Sequence, residues 1–179
     1  MAEASGLGEI ATHAGSVLAN GWLRVSRFRE VESLMSRALA VQVTPQSLNN
    51  AGRAGHALGD RQAALTYYEQ ALPLHRAVGD RNGEATTLSN IGAVHNALGD
   101  RQTALTYYEQ ALPLTRAVGD RAGEAATRYN IAALHAASGD LAEAIAQMEI
   151  VVDLDRAIGH PDLAADQQAL DQYRRQASS

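Results

Sequence analysis

The chain has 179 residues, 46% of them hydrophobic and 20% charged, with a net charge of -5; that is enough for one domain with a core, and too acidic to suit the phosphate-neutralising surface of a nucleic-acid binder. Cysteine is absent, which excludes disulfides, thiolate metal sites and a cysteine nucleophile. All fifteen basic residues are arginine, so neither a P-loop lysine nor a Schiff-base lysine exists.

At the N-terminus, MAEASGLGEIATHAG carries acids where a signal peptide has basic residues, and no apolar run follows that would span a bilayer. A cytoplasmic, membrane-free protein is the expectation. Leu18, Ala19, Trp22, Val31, Met35 and Ala38 then mark a weak helical pair, a degenerate first repeat over 8–43.

From Gln46 onward the sequence repeats itself. Residues 46–85 and 86–125 match at 29 of 40 positions, including LGDRQAALTYYEQALPLHRAVGD at Leu58 and LGDRQTALTYYEQALPLTRAVGD at Leu98. A diverged third copy begins near Ala126. Within a copy Leu88, Ile91, Gly92, His95 and Leu98 follow a helical period, as do Ala104, Leu105, Tyr108, Ala111 and Leu112. Each copy is therefore predicted to be two amphipathic helices.

The punctuation agrees. Gly-Asp pairs at Gly59, Gly79, Gly99, Gly119 and Gly139 supply a helix stop and then an acidic N-cap, and Asp140 with Glu143 has the spacing of a capping box. Strand alternation is absent. Pro73 and Pro113 fall inside second helices, where each removes a bond to Glu69 or Glu109 and is predicted to bend the axis. The predicted units are repeats over 45–80, 81–120 and 121–159 and a capping helix over 161–176, all within one domain. A helix pair cannot bury its own apolar faces, so the pairs must stack on one another.

This pattern resembles the tetratricopeptide repeat, whose signature runs bulky, apolar, small, aromatic, then Ala, aromatic, Ala. Leu88, Ile91, Gly92, His95, Ala104, Tyr108 and Ala111 fit it. So do Leu48, Ala51, Gly52, Gly55, Ala64, Tyr68 and Ala71, and, with Arg128 at the bulky position, Ile131, Ala132, His135, Ala144, Met148 and Val151. The forty-residue period is similar to the kinesin-light-chain type and to bacterial signalling arrays. The resemblance implies an all-α, right-handed superhelical solenoid whose concave groove takes a protein or peptide partner, in an adaptor or scaffold role. An alternative it also implies is the regulatory or sensor portion of a bacterial system controlling an ATPase, protease or transcription factor.

Carried over by position, the resemblance puts Asn49, Asn50, Arg53 and His56 on the groove, followed by Ser89, Asn90 and Asn96, then Tyr129 and Asn130. Asn50, Asn90 and Asn130 form a ladder at the forty-residue period. One carboxamide pairs with both the N-H and C=O of a peptide unit; with helices ~10 Å apart and ~3.3 Å per extended residue, an asparagine meets about every third residue of a strand. The alternative is that each asparagine bonds a neighbouring helix. Arg53 and Arg128 are candidate contacts for a carboxylate.

Catalysis finds no support. His95 and His135 stand one repeat apart, too far to share a metal, and His13, His56, His75 and His160 show no ligand spacing with acids. Asp153 and Asp155 point apart on a helix and read as solvated. No nucleophile elbow or dinucleotide fingerprint is present. The expectation is a non-enzyme without metal or cofactor; exposed repeat ends are compatible with a homodimer, and the sequence leaves the oligomeric state open.

Overall fold

The computed structural model describes residues 43–178. The degenerate repeat expected over 8–43, with Trp22 and Met35, lies outside the described residues but for its last position. The described residues form seven helices and no strand: α1 (Pro45–Ala57), α2 (Arg61–Ala77), α3 (Arg81–Ala97), α4 (Arg101–Val118), α5 (Arg121–Ala137), α6 (Leu141–Ile158) and α7 (Leu163–Ala177).

Helix starts follow the acidic residues of the Gly-Asp pairs. Asp60, Asp100 and Asp120 accept a bond at Oδ1 from the backbone N-H of Ala63, Thr103 and Gly123, closing one of the four orphan donors of each N-terminus. Asp140 does the same for Glu143 at 3.2 Å, but the Glu143 side chain accepts from Gln147. The reciprocal capping box instead sits at Thr44 and Ser47, on either side of the proline that opens α1. Helix stops follow the glycines, as at Gly79 and Gly119, with φ of 70° and 72°. There the chain reverses through a left-handed residue, and the next N-H reaches back to His75 or Thr115 at 2.9 Å. Helices α2 and α4 run on through Pro73 and Pro113.

Contacts divide the chain into two compact units, the first ending at Val94 and the second beginning at His95. In the first, Leu48, Ala51, Ala64, Tyr68, Ala71, Leu88 and Ile91 are buried. Gly52 makes this possible, because a Cβ there would stand 2.5 Å from Tyr68 Cε1. The second unit has two clusters. Ala104, Tyr108, Ile131 and Leu134 form one, flanked by Leu105 and Leu112. Ala125, Ala132, Met148, Val151, Val152 and Leu170 form the other, sealed by Leu163 and Tyr173 of α7. Helix α7 thus covers the apolar side of α6, as a terminal unit must.

Candidate functional site

Four of the asparagines and serines expected on the groove meet the interior of the first unit. Asn49 is 3% exposed and donates to Thr87 Oγ1 at 2.9 Å, while Thr87 in turn donates to the carbonyl of Gly83. Asn90 Nδ2 lies 3.4 Å from Asn49 Oδ1. Asn50 is 7% exposed, and Ser89 is half-buried. In this unit a carboxamide thus bonds the neighbouring first helix at Asn49, which stands outside the asparagine ladder, while Asn90 of the ladder makes a long contact to it. Arg53 is half-buried beside Tyr68, whose phenol is held un-ionised chiefly by burial. His56 is half-buried with its Nδ1 unpartnered; burial first and Arg61 second lower its pKa, so it is neutral at pH 7.

In the second unit Asn96 is exposed, Asn130 half-buried, and Tyr129 is 42% exposed, a large ring left in solvent. Arg128 is not available to a ligand. It is 3% exposed, donates from Nε to Glu124 at 2.9 Å and from Nη1 to Gln147 at 2.7 Å, and so fills the bulky core position with a buried, bonded guanidinium. His95 and His135 are partly buried, their Nδ1 atoms 3.5 and 3.3 Å from Asp100 and Asp140. Tyr107 stacks on His95 at 5.6 Å between ring centres. Burial pushes Tyr108 up to about 12.

One feature escaped the sequence. Asp155, expected in solvent beside Asp153, is 2% exposed, whereas Asp153 is exposed and pairs with Arg156. Asp155 faces Asp166, which is 8% exposed, and His160 Nδ1 stands 3.9 Å from both Asp155 and Asp162. Burial, then the Asp155 carboxylate, pushes Asp166 up to about 6. These groups line one side of a cavity of about 350 Å³ whose other walls include Ala122, Ala126, Tyr129, Asn130 and Val151. The signal was in the repeat: at a forty-residue period Asp155 falls on buried His75 and Thr115. No grouping of His, Asp and Glu among the described residues suits a metal ion.

Residues 43–117 and 83–157 both match the tetratricopeptide repeat family, so two overlapping matches span most of the chain. The chain belongs to the tetratricopeptide repeat family. Its fold is accordingly an all-α repeat solenoid, and its repeats are those of a protein-interaction scaffold. Among solved structures it is similar to BtubC (BKLC) from P. vanneervenii, with a TM-score of 0.69 at 19% identity over 99% of this chain and 91% of that one. A putative kinesin light chain from Podosopora anserina, with nearly identical TPR-like repeats, gives 0.74 at 19% identity over 91% and 85%. Aspartyl phosphate phosphatase F from Bacillus subtilis gives 0.83 at 14% identity, covering 93% of this chain and 45% of that one. At these identities the likeness is one of fold. Among curated proteins no sequence matches. Among the described residues no helix is long and apolar enough to cross a membrane.

Proposed function

We propose that this tetratricopeptide repeat protein is a non-catalytic adaptor that binds an extended segment of a partner protein along the faces of its first helices. The observation that carries the reading is the ring-and-carboxamide surface of exposed Tyr129 and half-buried Asn130 on α5, beside a cavity lined by alanines. An aromatic ring offers contact area at low entropic cost, and a carboxamide matches a peptide unit. In the first unit the face is Arg53, His56, Ser89 and Asn90, with Asn50 buried behind it and Asn49 as a positioning residue that holds α1 to α3 through Thr87. In the second unit it is Asn96, Tyr129 and Asn130.

The test is selection from a random peptide library on the full chain, followed by affinity measurement. The variant Asn130→Ala with Tyr129→Ala should weaken a selected peptide about tenfold or more, equivalent to ~1.4 kcal/mol. Unchanged affinity would remove this face from the binding account.

A further inference from the structure

We propose that the cavity between α5, α6 and α7 receives an arginine side chain of the partner segment, its guanidinium against Asp155 and Asp166 and its aliphatic stem along the alanine wall. The inference rests on the peptide-binding reading above and names the residue that the second unit selects. Three observations carry it.

The first is a buried acid with one oxygen unbonded, its other oxygen 3.9 Å from His160 Nδ1. Asp155 is 2% exposed, lines the cavity, and its Oδ1 is buried without a hydrogen-bond partner. A buried carboxylate oxygen left unmade costs free energy that a donor would recover. The charged groups facing it are Asp166 and Asp162 from the α7 side and His160 from the joint before it. No arginine is among the cavity's lining residues. A forked donor satisfies two neighbouring carboxyls at once, which an ammonium does less well.

The second is the opposite wall. Ala122, Ala125, Ala126 and Val151 present an apolar surface suited to three methylenes, and Tyr129 offers a ring to a cation. The volume of about 350 Å³ accommodates one long side chain with water. The third is charge: a chain of net charge -5 attracts a basic segment over a longer range than the contact itself. At the position of Asp155 the two preceding repeats hold His75 and Thr115, each bonded locally, His75 to Asp80 at 2.8 Å and Thr115 to the Leu112 carbonyl at 2.9 Å.

The experiment titrates the isotopically labelled full chain with Nα-acetyl-arginine N-methylamide and, in parallel, with the citrulline analogue, which is nearly isosteric but neutral. Expected are amide shifts around Tyr129, His160 and Asp166 with the arginine compound, and affinity for citrulline lower by at least about tenfold. Asp166→Asn should lose that discrimination, and Ala126→Phe, which blocks the alanine wall without touching a charge, should abolish binding while the fold stays intact by circular dichroism. Equal response to both compounds, or discrimination that survives both variants, overturns the inference. In a selected peptide, replacing its arginine by citrulline should cost the same tenfold. Selected peptides that bind at Tyr129 and Asn130 with no basic preference would overturn the arginine site and leave the adaptor reading standing. Binding of the small arginine compound with no peptide ever selected would do the reverse.

Discussion

The joint after α2 and the joint after α6 are built from the same two residue types in opposite order. In the first unit His75 is fully buried and reaches Asp80, which is half-exposed, at 2.8 Å. In the second, forty-residue counting twice over, the positions are exchanged: Asp155 is buried and His160 is the partly exposed partner, 3.9 Å away. The backbone is indifferent, since Asp80 and His160 both donate their N-H to the carbonyl five residues back at 2.9 Å. The chemistry differs. His75 bonds Asp80 through Nδ1, its Nε2 is buried without a partner, and the first joint is closed: Gly83 is pressed against the ring so that a Cβ there would collide with His75 Nδ1. A buried carboxylate keeps its demand for donors, and the second joint opens on a cavity. One scaffold thus yields a structural joint in one place and a candidate recognition site in the other.

The cores of the two units differ by a similar exchange. Gly52 lies against Tyr68, while two repeats later Ala132 shares a cluster with Met148. A rigid ring demands the missing Cβ; a flexible thioether does not. The largest expected effect is at this pair. Gly52→Ala should lower unfolding stability by about 2 kcal/mol, overpacking outweighing the gain in helix propensity, and adding Tyr68→Met should recover part of that loss in a double-mutant cycle. Ala132→Gly should cost about 1 kcal/mol, from backbone entropy rather than a clash. Urea denaturation distinguishes the two, and equal costs with no coupling would dissolve the contrast.

Next in size is the pH response, which has opposite signs in the two units. Asp166 is raised, to about 6 against an ordinary 3.8, so the folded chain holds more protons than the unfolded one between those values, and stability falls as pH rises through that window. Asp166→Asn should remove the slope and gain about 1 kcal/mol at pH 7, a value that allows for solvent screening. Asp80 is lowered, first by the Gly83 N-H and then, against the opposing effect of burial, by His75. Its contribution is present above the ordinary carboxylate pKa and is lost as pH falls through the lowered one. Asp80→Asn should therefore flatten the acid side of the stability profile, by under about 1 kcal/mol because the carboxylate is partly exposed. Melting curves from pH 3 to 8 on both variants check the signs.

Helix count, joints and core positions were legible in the described part of the chain because the glycines, the aspartate caps and the forty-residue period all state the same geometry. Thr44 with Ser47 was not read as a cap, since the eye goes to Ser-x-x-Glu and not to two hydroxyls. The groove was legible only as a helical face. Periodicity placed Asn49 and Asn90 on one side of their helices, but not the distance to Thr87 that lets one carboxamide serve another helix. Arg128 reads from its charge as a ligand contact, whereas Glu124, one turn before it on α5, and Gln147, near it only in space, already bond it. Spacing along one helix sets Asp155 apart from Asp153 but does not reveal its burial, which the structure shows for its repeat equivalents His75 and Thr115 as well.

The most direct test of the adaptor account is to titrate a library-selected peptide into the labelled full chain and record where amides shift. The account predicts shifts concentrated on α5 and on the first-helix residues Asn90 and Asn96, with Glu109 and Gln110 of α4 unmoved. Shifts centred on α4 and the outer side of α6, with Tyr129 and Asn130 unaffected, would contradict it.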